Sequence, residues 1–157
     1  MLFRSYYSIW IVFPIIYLDY AWWKIVIGFV VMHYTAGIIL STIFQLAHIV
    51  EKVKMPLPSN TLGMKNTWAI HQLFTTSNFS TNNKIMNWFS GGLNFQVEHH
   101  LFPNISHIHY KKLSEIVKKT AKEFSLPYNE YKTTRDALKS HYLFLKSMAK
   151  KPLSIAN

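Results

Sequence analysis

The first fifty residues constrain this chain more than any other part of it, because they are nearly free of charge. From Leu2 to Val50 the only formal charges are Arg4, Asp19 and Lys24. The apolar run that starts at Leu2 and continues through YYSIWIVFPIIYL (6–18) is about long enough to cross a bilayer with Tyr6, Tyr7 and Trp10 near an interface. Pro14 is expected to kink it. After the polar break DYAWWK, the run IVIGFVVMHYTAGIILSTIFQLA (25–47) is amply long enough to span. Together the two runs predict a transmembrane hairpin. A signal peptide is the other reading of the first run, and the single positive charge of its flank, with a second span following at once, argues against it.

Charge then divides the chain. Fifteen of the seventeen Lys and Arg lie from Lys52 onward, so the expected organisation is an all-α membrane protein: two transmembrane helices over residues 1–50, then a helical basic cap over residues 51–157. The positive-inside tendency places that cap in the cytoplasm, making this a multi-pass integral membrane protein. The formal charge of +10 is better matched by an anionic lipid surface than by nucleic acid, because the basic clusters follow an apolar segment. Cysteine is absent, which excludes disulfides, thiolate zinc sites and iron–sulfur clusters within this chain and leaves nitrogen and oxygen ligands for any metal.

A helix entering at Trp22 and Trp23 and rising ~1.5 Å per residue carries His48 nearly 40 Å, beyond a hydrocarbon core of ~30 Å. His48 is therefore expected at the cytoplasmic surface, with Gln45 one turn earlier on the same face. His33 falls near mid-bilayer, where an ionisable group is costly. Three readings stay open for it: a neutral imidazole hydrogen-bonded between helices, a metal ligand, or a residue bordering a substrate channel.

Beyond the membrane, EKVKMPLPSN (51–60) reads as a polar, Pro-containing exit, a helix is expected from about Asn66 to Thr75, and STNNK (80–84) as a turn. Gly91 and Gly92 would permit a turn or a close backbone approach. Leu113, Ile116, Val117, Ala121 and Phe124 recur at helical spacing opposite Lys111, Lys112, Lys118, Lys119 and Lys122, predicting an amphipathic helix that ends near Pro127. A second helix is expected after Thr133, with Asp136 at capping-box spacing and Leu138, Tyr142, Leu145 and Met148 buried. Both are read either as ordinary packed helices with solvated lysines or as an interface with lipid headgroups, acyl-carrier phosphates or an acidic electron donor.

The chemistry concentrates in GGLNFQVEHHLFPNISHIHY (91–110). On a helix Gln96 lies three residues before His99 and four before His100, so all three can approach one region, while the adjacent histidines differ by ~100° and can face different ions. Imidazole suits iron, zinc, copper and nickel alike. The alternative is that histidines flanking Pro103 merely cap and hydrogen-bond. No H-E-x-x-H is present and no Glu is followed three residues later by His, which sets aside zincin proteases and soluble carboxylate-bridged di-iron bundles.

GGLNFQVEHHLFP resembles, almost residue for residue, the third histidine box of membrane fatty acid desaturases in the Q-x-x-H-H form typical of front-end and related acyl-lipid or acyl-CoA enzymes. The resemblance extends through FQLAHIVE, WAIHQLFTTSNFS, HIHY, LPYNEY and ALKSHYLFLK, nearly the whole chain, and is to the C-terminal part of such an enzyme. It implies a histidine-held, non-haem di-iron centre at the cytoplasmic membrane surface that uses O₂ to introduce a double bond into an acyl chain. His99 and His100 are implied iron ligands, Gln96 occupies the corresponding box position, and His48 matches the further histidine at the end of the last transmembrane helix. Gln45, His71, Asn94, His107 and His109 are implied neighbours of the centre, read as hydrogen-bonding support for a ligand or backbone; His141 reads as a surface residue.

Two departures qualify this. The family's earlier boxes, H-x-x-x-H and H-x-x-H-H or close variants, do not occur, so the ligand set is expected to be completed by a missing N-terminal desaturase half, and the isolated chain is expected to be inactive. The HPGG signature of a cytochrome b5 domain is also missing, so electrons are expected from a separate ferredoxin or cytochrome b5-type donor. The substrate expected is an acyl-CoA, acyl-carrier or acyl-lipid. Alternatives are a catalytically inactive truncated membrane protein with at most a partial metal site, or a hydroxylase using the same boxes.

Overall fold

The computed structural model of the chain describes residues 2–54 and 66–150; most of the expected polar exit at 51–60 lies outside them. The structure is mostly α-helical and falls into two compact units, Met1–Thr42 and Ile43–Asn157.

In the first unit the N-terminal apolar run is helical but not one regular helix. It comprises α1 (Leu2–Tyr7), a π-helical turn (Ser8–Val12) and α2 (Phe13–Tyr17). Pro14 is the cause: its ring clashes with the carbonyl one turn back and it has no N–H to donate. The backbone widens just ahead of it, so that Phe13 N–H reaches the Ser8 carbonyl five residues back. The expected hairpin is matched in one of its two helices. One described helix, α3 (Trp22–His48), is long and apolar enough to cross a membrane, and its 27 residues rise about 40 Å.

His33 sits on α3 with both ring nitrogens engaged. Its Nδ1 lies 2.8 Å from the Phe29 carbonyl and its Nε2 2.8 Å from the Tyr6 hydroxyl. A carbonyl only accepts, so Nδ1 donates to Phe29, and the Tyr6 hydroxyl pairs with Nε2. Of the three readings, these contacts favour the hydrogen-bonded imidazole. The ring also lines an open groove of about 560 Å³ with Tyr34, Gly37, Ile38, Ser41 and Thr42.

The second unit holds α4 (Trp68–Thr75), β1 (Asn78–Phe79), α5 (Lys84–Phe89), α6 (Gln96–Leu101), a 3₁₀ turn (His107–His109), α7 (Tyr110–Glu123), β2 (Glu130–Tyr131) and α8 (Thr134–Lys150). The all-α expectation is corrected by β1 and β2, a parallel pair with Asn78 opposite Glu130 and Phe79 opposite Tyr131. One core gathers Ile43, Leu46, Val50, Val53, Phe79, Tyr131 and Ala137. A second, beneath α6, gathers Leu73, Val97, Val117 and Ala121.

Two predicted apolar faces are only partly buried. In α7, Val117 and Ala121 are buried, while Ile116 and the helix-ending Phe124 are exposed. In α8 the buried residues are Ala137 and Ser140, and Leu138, Tyr142, Leu145 and Met148 are exposed. Periodicity located the stripe of α8 correctly, but the face that packs lies to one side of it. The capping box forms as expected, the Thr133 hydroxyl accepting from Asp136 N–H at 3.1 Å and donating to its carboxylate at 2.7 Å.

Candidate metal centre

The site is assembled from the C-terminal end of α3, from α4 and from α6. The backbone joins these locally: Ser77 N–H donates to the Ala47 carbonyl and Lys54 N–H to the Phe74 carbonyl. Segments distant in sequence are thus held side by side, and three polar side chains meet. Gln96 Nε2 lies 3.2 Å from His48 Nε2 and 2.9 Å from His100 Nε2. The two imidazole rings meet edge-on, with centroids 5.0 Å apart and planes at 62°.

The far side of each ring is anchored. His48 Nδ1 donates to the Thr75 carbonyl at 3.2 Å, and His100 Nδ1 donates to Gln72 Oε1 at 2.7 Å. Both anchors are acceptors, so both rings are protonated at Nδ1 and present the Nε2 lone pair inward, where the Gln96 amide donates to each. Burial, reinforced by the neighbouring His48 and His99, lowers the His100 pKa to about 4. The ring is therefore neutral near neutral pH, the form that binds a cation.

His99 turns elsewhere. Its ring centroid is 5.8 Å from that of His100, and its Nδ1 lies 3.3 Å from the Tyr110 hydroxyl. Burial, and secondarily the Glu98 carboxylate, raise the Tyr110 pKa, keeping the phenol protonated.

Beneath the histidines lies a polar network that the sequence reading missed. Glu98, fully buried, accepts from Asn78 Nδ2 at 2.7 Å and from the Tyr128 hydroxyl at 2.9 Å. Asn78 also accepts from Val97 N–H at 2.9 Å. Burial pushes the Glu98 pKa up to about 7 against the opposing pull of those two hydrogen bonds, and burial together with Glu98 raises that of Tyr128. The network ties α6 to β1 and to the segment leading into β2.

The remaining expected residues occupy distinct places. Asn94 is buried, accepts from Ser90 Oγ at 3.0 Å and donates to Asn87 Oδ1 at 2.6 Å and to the Phe79 carbonyl at 3.2 Å. It builds the turn before α6. Gln45 is half-buried one turn before His48, and its carbonyl accepts from Ile49 N–H. His71 lies on α4, but it is the adjacent Gln72 that reaches His100. His107 and His109 are exposed in the 3₁₀ turn.

His107 instead explains a glycine. Gly92 has φ of +81°, and a Cβ built there would stand 2.5 Å from His107 Cβ. His141 is corrected from a surface residue to a tie, its Nδ1 donating to the Ile49 carbonyl at 2.6 Å. Gln72, Thr75, Tyr110 and Glu98 were not singled out from sequence. A glutamine within the apolar WAIHQLF and a tyrosine directly after HIH were the available signals.

Two imidazoles with anchored Nδ1 atoms and one carboxamide fit part of a metal shell, since the amide can present its oxygen where it now donates. Among the described residues no group of three or more His, Asp or Glu is disposed to hold an ion. The fit is to a fraction of a coordination shell. Beside it, Leu101 and Phe102 help line an apolar pocket of about 430 Å³ with Trp68, Leu73, Val117 and Leu126.

The fatty acid desaturase family model matches residues 2–132, so the chain belongs to the fatty acid desaturase family, a family of membrane-associated oxidoreductases. It is 47% identical over 128 residues to an sn-1 linoleoyl-lipid 6-desaturase of Synechocystis sp., covering 81% of this chain and 36% of that protein. To the sn-1 linoleoyl-lipid 6-desaturase of Arthrospira platensis it is 39% identical, covering 92% of this chain and 39% of the relative. An acyl-lipid (8-3)-desaturase of Physcomitrium patens is 44% identical, with 71% of this chain and 23% of the relative covered. The chain thus spans between 23% and 39% of the length of these relatives. No solved structure matches it.

Proposed function

We propose that this chain is the C-terminal part of an acyl-lipid desaturase and that it contributes His48, Gln96, His99 and His100 to a di-iron centre completed by ligands from an N-terminal part. The observation that carries the proposal is the pair of inward Nε2 atoms on His48 and His100, each fixed by an acceptor on its Nδ1 and bridged by Gln96. When bound, a histidine-held iron pair supplies the O₂ chemistry of double-bond formation, with electrons from a ferredoxin or cytochrome b5-type donor.

The chain's own residues position and shield. Thr75 and Gln72 hold two imidazoles in the ligating tautomer, Tyr110 orients His99, and the Asn78–Glu98–Tyr128 network holds α6 rigidly beneath them. The pocket walled by Leu101 and Phe102 offers an apolar, water-excluding surface suited to an acyl chain. Residues 1–50 would form the membrane part and residues 51–157 a cytoplasmic cap.

Expression of the chain alone and joined to the coding sequence upstream, with measurement of bound iron and of conversion of a labelled acyl lipid, tests this. Substoichiometric iron and no turnover are expected from the chain alone, and stoichiometric iron with turnover from the joined form. Stoichiometric iron with turnover from the chain alone would sink the proposal, as would turnover that survives His100→Ala in the joined form.

A further inference from the structure

We infer that α5, the start of α8 and the cleft between them form a surface that docks on anionic phospholipid. The residues involved all belong to the second unit, and none is among the proposed ligands. In α5, Ile85, Trp88 and Phe89 occur at i, i+3 and i+4 and so share one face. That face is uncovered: Ile85 is 77% exposed and Trp88 83%. A tryptophan left so bare on a short helix is out of place in water, whereas an amphipathic ring is at home among lipid headgroups.

The cleft is lined by Ser80, Asn82, Asn83, Lys84, Ile85, Lys132, Thr133, Thr134 and Arg135, and encloses about 760 Å³. The Ser80 and Thr134 hydroxyls bond across it at 2.8 Å. Lys84, Lys132 and Arg135 bring three cations to it, and the single ion pair among the described residues, Lys118 with Glu130, involves none of them. Such a cleft fits a phosphate or another anionic headgroup.

The apolar and cationic features are continuous. Ile85 belongs both to the α5 face and to the cleft wall. On α8, Arg135 of the cleft lies at i to Leu138, Tyr142 and Leu145 at i+3, i+7 and i+10, so the exposed stripe of that helix begins at the same cleft. Two bare apolar faces therefore flank one pocket of positive charge. Anionic phospholipid is the partner that satisfies all three at once, its phosphate in the cleft and its acyl region against Trp88 and Tyr142.

The natural chain contains no cysteine, so single-cysteine labelling is unambiguous. The full chain would be nitroxide-labelled at Trp88→Cys or Tyr142→Cys, with Glu123→Cys on exposed α7 as reference, and reconstituted in phosphatidylcholine vesicles with or without phosphatidylglycerol. With the anionic lipid present, labels at 88 and 142 should show a higher ratio of collisions with oxygen to collisions with an aqueous nickel complex than the label at 123. Omitting phosphatidylglycerol, or replacing Lys84, Lys132 and Arg135 together by Gln, should return the ratio toward the reference. Ile85→Cys repeats the measurement if the label at 88 perturbs the fold. Reference-like ratios at both positions would overturn the inference by showing a solvent-facing surface, and shielding from both reagents would overturn it by showing a protein cover. A high ratio unchanged by the Gln replacements or by lipid charge would overturn the headgroup assignment.

Discussion

Gln72 shows how much of this site depends on residues that touch no proposed substrate. Its Oε1 accepts from His100 Nδ1, and without that acceptor the imidazole is free to change tautomer and rotate. Gln72→Leu in the assembled enzyme is expected to lower metal affinity about 10- to 100-fold, measured by competition with a chelator of known affinity, while leaving the helical circular dichroism unchanged. Gly92→Ala is expected to destabilise by more than about 1 kcal/mol, because a left-handed φ and the His107 contact oppose the added methyl; His107→Gly in the same chain should recover the steric part alone, seen in paired thermal melts. The meeting of Gln96 with His100 was legible because an i, i+4 spacing on a helix needs no tertiary information. Gln72 was not, since its role depends on how α4 packs against α6, and the neighbouring His71 drew attention by residue type alone.

At the scale of elements, local chemistry and packing separate in the same way. Asn83 caps α5, its Oδ1 accepting from Ile85 and Met86 N–H, and Asn83→Ala should cost about 1 kcal/mol in chemical unfolding. The β1–β2 pair is braced by Glu130, which accepts from Lys118 at 2.6 Å and from Thr81 at 2.7 Å. Burial acts against its carboxylate, but these partners prevail and hold its pKa below the usual range. A carboxylate depressed in the folded state binds fewer protons there than when unfolded, so its stabilisation is present above the ordinary carboxylate pKa and is lost as pH falls through the folded value. Stability is expected to drop over that acidic window, and to drop less in Glu130→Gln. The capping box of α8 was readable from Thr133 and Asp136. The exposure of Leu138 and Tyr142 was not, because periodicity identifies an apolar face without identifying what covers it.

For the whole molecule, the charge-free N-terminal region indicated a membrane and α3 is long and apolar enough to cross one. Ile38→Arg, an exposed position well inside α3, should disfavour insertion by about 2.5–3.5 kcal/mol, measured with a glycosylation reporter. The first apolar run looked as continuous as the second from composition, and a single imino acid at Pro14 divides it. The proposed division of the ligand set was legible only from the earlier boxes that these residues lack, since a helix carrying Gln-x-x-His-His looks the same whether its other ligands lie in the same polypeptide or outside it.

The turn that carries Asn94 bears on how fast such a centre assembles. Ser90, Asn87 and Phe79 hold Asn94 from three directions, and Phe79 N–H returns a bond to the Asn94 carbonyl. The bonded amide hydrogens of Leu93, Phe95 and Val97 should consequently exchange only through openings as rare as global unfolding. The ordering entropy of the histidine helix is then incurred when the chain folds and not when metal arrives, so iron capture at the proposed centre would require access and a turn of the Gln96 amide, not refolding of the helix.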